Sequence, residues 1–221
     1  MYDIGIMTAG DGTLPLGLVN SQETHPDMAV RAIVYAPYHK LTHYRVLRGD
    51  LIQQTNEMGI PLFSIPRPYE WKRTSMEVPM YKKIKYEKQV FKLFDMMGVN
   101  LVFLDKWDQL VTPYLLGKYP MTVSTHPDDP DRRGGVGMDH YTVLEDVLRS
   151  RDRKIYPTIV KVEPKKKVDA GEPLLQSGVD IPKSLHKMFK ENPTRAVGIL
   201  DELDDSEFIK MVLQAIEKMF D

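Results

Sequence analysis

Three places in the chain carry residues whose types and spacing could do chemistry. The first is Ser124-Thr125-His126-Pro127, where a histidine closes a short apolar run and a proline follows. Proline holds the residue before it in extended backbone, so the imidazole would stand at a strand end and stay out of a helix. There it could act as acid, base or donor to a developing oxyanion, although a histidine that simply satisfies its own surroundings is the plainer reading. The second is Asp169 in the segment VDAGEPLLQ, a turn feeding an apolar run. Its carboxylate could hold a water or a proton, or could cap its own turn as Asp-x-Gly sequences commonly do.

The third is Gly10-Asp11-Gly12-Thr13, directly after the apolar run 2–8. Glycines let backbone approach an anion, and a helix opening near Thr13 would turn its first N–H groups toward a phosphate. The spacing is not G-x-G-x-x-G, because Pro15 stands where the third glycine would fall, and Asp11 opposes an anion unless it points away. A tight turn that requires positive φ explains the glycines equally well.

Positioning these groups requires an alternation of strands and helices. Residues 2–8, 30–36, 61–65, 99–104, 121–125, 155–163 and 173–177 read as strands, several of them near-continuous apolar runs suited to a parallel sheet covered on both faces. Helical spacing marks 43–58, 81–97, 139–151 and 205–220. In 81–97 an apolar stripe of Ile84, Val90, Phe91, Phe94 and Met97 lies mostly away from the lysines at 82, 83, 85, 88 and 92, and in the last segment Phe208, Val212, Ile216 and Met219 share a face. The rhythm predicts an α/β, Rossmann-like, mostly parallel sheet with helices on both faces and right-handed crossovers. Two units follow, an α/β domain over 1–182 and a C-terminal helical extension over 183–221 with a break near Asn192-Pro193. Ligands in such sheets bind outside the carboxyl ends of the strands, so chemistry is expected in the loops after 8, 36, 104, 126 and 169.

Composition narrows the class. Thirty Lys plus Arg against 31 Asp plus Glu leave a net charge of -1, so no overall field recruits nucleic acid. The absence of cysteine excludes a disulfide scaffold, a thiolate metal site and a thiol nucleophile. No apolar run is long enough to span a membrane, and the opening MYDIGIMTAGDG lacks the basic start of a secretory signal, which points to the cytoplasm. Segment 66–80, with Trp71, reads as a surface loop, and Lys165-Lys166-Lys167 as a solvated turn. Tyr35, Tyr38, His39, His43 and Tyr44 could wall a cleft or begin a helix with exposed rings.

The order of these features resembles the folate-dependent formyltransferases: a Gly-rich first loop, then VFLDKWDQLVTPYLLGKYP, then a strand ending STHP, then VDAGEPLLQ. In size the chain is most similar to the glycinamide ribonucleotide formyltransferases, and the likeness covers roughly residues 2–180. Ser124 stands where that family has an asparagine, and Asp128 to Arg133 replace an apolar, basic-flanked loop. The resemblance implies formyl transfer from 10-formyltetrahydrofolate, as co-substrate, to the amine of a small phosphorylated molecule such as glycinamide ribonucleotide. It implies that His126 polarises the formyl group, with Ser124 beside it, and that Asp169 arranges a proton-relaying water. Trp107, Asp108, Gln109, Leu110 and Val111 would line the folate cleft, with Lys166, Lys167 and Val168 closing over the pterin. Gly10, Asp11, Gly12 and Thr13 would hold the phosphate.

Acyl transfer between nitrogens through a tetrahedral intermediate needs oxyanion donors and a proton relay, so no metal is expected. Neither a nucleic acid nor a membrane is expected as partner, and the resemblance leaves a homodimer open. Two alternatives stand beside this reading. One is a catalytically divergent relative that binds a folate or nucleotide. The other takes His126-Pro127-Asp128-Asp129 as resembling the zinc motif of N-acetylglucosamine deacetylase-like hydrolases, with the string displaced to the fifth strand and only the singly spaced His140 and His186 downstream.

Overall fold

The structure is a computed structural model that describes residues 1–36, 47–66, 80–107, 111–133, 139–163 and 171–220. In chain order the elements are β1 (Tyr2–Thr8), α1 (Thr13–Ser21), β2 (Met28–Tyr35), α2 (Gly49–Glu57), β3 (Leu62–Ser64), α3 (Met80–Met96), β4 (Leu101–Asp105), α4 (Pro113–Lys118), β5 (Thr122–His126), α5 (Pro130–Arg133), α6 (His140–Arg149), β6 (Lys154–Ile155), β7 (Thr158–Val162), β8 (Gly171–Gln176), β9 (Val179–Asp180), α7 (Lys183–Glu191) and α8 (Pro193–Phe220). Seven strands form one sheet in the order β3-β2-β1-β4-β5-β7-β8. The first five run parallel, and β7 and β8 join antiparallel.

Alternate residues of each strand serve opposite faces. Ile4, Ile6, Leu101, Phe103 and Val123 pack with Leu14 and Leu18 of α1, Leu51 of α2 and Phe208, Val212 and Ile216 of α8. Met7, Val34, Val102 and Leu104 face α3 and α4 through Val90, Phe91, Phe94 and Leu115. The sheet is therefore covered on both sides, as the apolar runs require. A third cluster joins α6, α7 and the first half of α8 through Leu144, Leu148, Leu185, Val197 and Leu200.

Three segments differ from the sequence reading. The run 155–163 is two strands: Lys154–Ile155 pairs with β9 in a separate two-stranded sheet, and Pro157, which cannot donate to a ladder, separates it from β7. The last helix starts at Pro193, not near 205, because Pro193 fits a first helical turn and Asn192 accepts from the Arg195 N–H at 3.1 Å. On α3, Lys83 and Glu87 are buried and Ile84 only half-buried, because Glu87 holds the N–H and hydroxyl of Thr112 ahead of α4. Of the helix expected over 43–58, the described part is Gly49–Glu57; of the loop expected over 66–80, residues 67–79 lie outside the described set, as does the Met219 side chain, while Met80 opens α3.

Two glycines are dictated by geometry. Gly12 has φ +92 at the N-cap of α1, a left-handed conformation that other residues adopt at a cost. Gly17 lets α8 approach α1, since a Cβ there would lie 2.3 Å from Ile209 Cδ1. Among the described residues no helix is long and apolar enough to cross a membrane.

Candidate functional site

The strand order reverses between β1 and β4, and in open α/β sheets the crevice outside such a switch point receives ligands. A buried chain of hydrogen bonds bridges it. The Gly10 N–H donates to Thr8 Oγ1 at 3.1 Å, and that hydroxyl donates to Asp105 Oδ2 at 2.6 Å. Burial pushes the Asp105 carboxyl up to about 6, against the pull of the Lys106 ammonium. In the first loop the Asp11 side chain turns back on the helix: its Oδ1 accepts from the Thr13 N–H at 3.1 Å and from the Thr13 hydroxyl at 2.8 Å.

Lys106 follows directly, with φ +50, a strained conformation for a residue with a side chain. Its N–H donates to Thr125 Oγ1 at 3.3 Å, and its Nζ reaches α8, 2.8 Å from Asp201 and 2.9 Å from Asp205. His140, the first residue of α6, donates from Nε2 to the same Asp201 oxygen at 2.8 Å. Asp204 completes the group, fully buried, with neither carboxyl oxygen hydrogen-bonded. Burial would neutralise Lys106, but Asp201 and Asp205 overrule it and hold the ammonium charged. Burial likewise works to raise Asp201, and Lys106 and His140 bring it below the usual range. Burial drives Asp205 up to about 8 and Asp204 well above its ordinary value, the latter assisted by its acidic neighbours. Burial also lowers His140. With one ammonium among three buried acids, the upward shifts of Asp204 and Asp205 limit the negative charge of the cluster, as a low dielectric favours.

On β5, Ser124 and His126 share one face and Thr125 takes the other. His126 is buried and its Nδ1 lies 2.6 Å from the main-chain carbonyl of Asp128. A carbonyl can only accept, so Nδ1 carries the proton and Nε2 is the nitrogen that can gain one. The Asp128 N–H is also near Nδ1, at 3.3 Å, and the shorter carbonyl contact decides the tautomer. Ser124, also buried, makes one long contact, 3.5 Å from its hydroxyl to the Thr125 carbonyl. The loop beyond is held by its own charges. Asp128 accepts from Arg133 at 2.6 Å and from the Tyr156 N–H at 3.0 Å, and Arg133 also reaches Asp146 and Asp152. Asp129 accepts from the Asp131 N–H at 2.9 Å. The carboxylates that a deacetylase-type zinc site would need are thus directed at an arginine and at backbone.

Trp107 is buried and stacks on Tyr86 with ring centroids 6.1 Å apart, and Val111 packs half-buried on the same core. Asp108, Gln109, Leu110, Lys166, Lys167, Val168 and Asp169 lie outside the described residues, as do Tyr38, His39, His43, Tyr44, Lys165 and Trp71. Gly10–Thr13 thus follow β1, Ser124 and His126 close β5, and Lys106 follows β4 between them. The sequence reading weighed His140 only beside a zinc motif and passed over Asp105, Lys106, Asp201, Asp204 and Asp205. A signal for the last three existed: acids at i, i+3 and i+4 fall on one helix face, here between the apolar Leu200 and Phe208.

No family model and no curated protein sequence matches the chain. Solved structures do. Glycinamide ribonucleotide transformylase 1 from Symbiobacterium toebii superposes with a TM-score of 0.68 at 16% identity, covering 98% of this chain and 86% of that one. Phosphoribosylglycinamide formyltransferase from Streptococcus pneumoniae TIGR4 gives 0.63 at 16% identity, covering 100% of each chain. A formyltetrahydrofolate deformylase from Pseudomonas syringae gives 0.61 at 16% identity, covering 93% of this chain and 59% of that one. The chain has the fold of these proteins.

Proposed function

We propose that the protein transfers a formyl group from 10-formyltetrahydrofolate to the amine of a small molecule. The observation that carries this is His126, placed at the carboxyl end of β5 with its ring fixed through Nδ1, on a fold shared with solved formyltransferases. The amine nitrogen attacks the formyl carbon and the carbonyl π electrons move to oxygen. Protonated Nε2 of His126 donates to that oxyanion, in a site where burial strengthens the bond. Collapse restores the carbonyl and breaks the bond to N10 of the folate, which takes up the proton lost by the amine. Asp169, with a water, is assigned that relay by its place in the resemblance, and Ser124 assists at the oxyanion. Trp107 to Val111, with Lys166, Lys167 and Val168, are assigned to the folate. The chemistry requires neither a covalent nucleophile nor a metal.

A single-turnover assay with 10-formyltetrahydrofolate and a panel of small amines tests this. Formyl product from the wild type that is abolished in His126→Ala supports it. Tight folate binding with no transfer to any amine would leave a binding relative instead.

A further inference from the structure

We propose that Arg133 is a positioning residue for His126: by holding Asp128 in place it decides which ring nitrogen carries the proton. The proposal rests on the formyl-transfer reading for what the ring then does, and on the geometry of residues 126–156 for the rest.

His126 Nδ1 faces both main-chain hydrogen-bonding groups of one residue. The Asp128 carbonyl lies 2.6 Å away and the Asp128 N–H 3.3 Å away. The carbonyl selects a ring protonated at Nδ1, and the N–H would select the opposite tautomer. A small displacement of this residue would exchange the two, so the tautomer depends on what fixes Asp128.

Asp128 is fixed through its side chain. The carboxylate is fully buried, with Oδ1 accepting from the Tyr156 N–H at 3.0 Å and Oδ2 from Arg133 Nη1 at 2.6 Å. Arg133 is held in turn, since Nε donates to Asp146 on α6 at 2.8 Å and Nη2 to Asp152, in the turn after α6, at 2.5 Å. One guanidinium, a tenth exposed, thus ties the His126 loop to α6 and to the approach to β6. Its planar fork of donors suits several carboxylates at once, and it stays charged throughout the pH range of proteins. Arg132 also leans toward Asp128, but at 3.9 Å and from a side chain two-fifths exposed, where screening leaves little force. The tautomer matters because Nε2 must gain a proton for the oxyanion. The ring then donates from both nitrogens, and the Asp128 carbonyl accepts from Nδ1, whereas an N–H in its place would repel it.

The test reads the ring nitrogens of His126 by nitrogen-15 NMR above the ordinary imidazole pKa, the signals being identified by their loss in His126→Ala. The wild type should show a protonated Nδ1 and a bare Nε2. In Arg133→Gln the Nε2-protonated tautomer should appear at a population comparable to the first. Asp128→Asn keeps the main-chain carbonyl and an oxygen for Tyr156 and removes only the charge that Arg133 holds. It should act the same way, and it decides the matter should Arg133→Gln fail to fold. Arg132→Gln should leave the wild-type pattern. In single turnovers Arg133→Gln should slow formyl transfer at least about tenfold, against roughly 10⁴-fold where a ring is held wholly in the wrong tautomer, with folate-analogue affinity unchanged. A wild-type ring pattern in folded Arg133→Gln would overturn the proposal, as would one in Asp128→Asn or a change in Arg132→Gln as large as in Arg133→Gln. The nitrogen shifts need no turnover: should no amine be formylated, the formyl-transfer reading falls while the ring still reports on Arg133.

Discussion

The ring of His126 is held by a carbonyl only two residues further along, that of Asp128, at 2.6 Å from Nδ1. Asp128 is in turn pinned by Arg133 and by the backbone of Tyr156, so the tautomer of one residue is set by a loop that braces itself. The Nε2 edge is thereby presented in a fixed direction, which is the preorganisation an oxyanion donor needs.

Replacing His126 by Ala should therefore slow the formyl-transfer step by about 10²–10⁴-fold while leaving the equilibrium affinity for a folate analogue unchanged. Single-turnover rates paired with folate titration check this. Equal rates in variant and wild type would remove His126 from the chemistry.

Ser124 shares the strand face of His126 and holds only a long contact to its neighbour's carbonyl, so its hydroxyl can turn toward substrate. Ser124→Ala should cost roughly 10²-fold in rate, as the loss of an oxyanion donor does. Ser124→Asn, which restores a longer donor, should match or exceed the wild type. Rapid-quench kinetics of the two variants side by side distinguish a donor from a spacer, because a spacer would tolerate Ala.

Lys106 neutralises the acidic face of α8 from the end of β4. Lys106→Met keeps most of the volume and strands Asp201, so unfolding should be easier by about 3–5 kcal/mol, or roughly 6–20 °C in Tm for a chain of this size. Asp201→Asn in the Lys106→Met background should recover part of the loss. Calorimetry on the single and double variants provides the comparison, and additive losses would contradict a direct pair.

Stability should fall as pH rises from about 6.5 to 9. Asp205 is raised to about 8, and Asp204 is raised as well, so in this window the folded state holds protons that the unfolded chain has already released. Their stabilising contribution is complete below the ordinary carboxylate range and disappears as pH climbs through the folded values. His140, lowered chiefly by burial, acts in the opposite sense, but only below its ordinary value of 6.5. Asp205→Asn mimics the protonated form and should flatten the decline. Thermal melts across this range check it, and a wild-type curve that rises with pH would refute it.

Much of the frame was legible because its signals are local. Each strand of the main sheet was visible as an apolar run, and Pro127 marked the strand end that carries His126. The first loop was half legible. An acid between two glycines announced a conflict with anion binding, but only coordinates reveal that Asp11 resolves it by folding onto Thr13. The Lys106 cluster was not legible, since its partners lie 95 and 99 residues away and a lysine at a strand end reads as a solvated tip. Nor does a pattern of apolar residues disclose that a helix face will bury Asp201, Asp204 and Asp205, because that depends on which strand end the helix crosses. The split of 155–163 followed from Pro157, a signal present in the sequence and outweighed by the apolar residues around it.

The tie from Lys106 to α8 also sets an order of events during synthesis. Chains emerge N-terminus first, and domains fold as their parts become available. Strands β1 to β5, with the loop bearing His126, leave the ribosome well before residues 201–205. Until those acids arrive, Lys106 lacks both of its ion-pair partners, and its ammonium must stay in water instead of lying across the strand ends. The tie between the end of β4 and α8 therefore forms late, through a contact of long sequence separation, which is the slow kind to form. A nascent chain halted before Asp201 would carry every strand of the sheet and the His126 loop yet lack the group that seats Lys106. The helix that covers the sheet thus serves as the latch that completes the site.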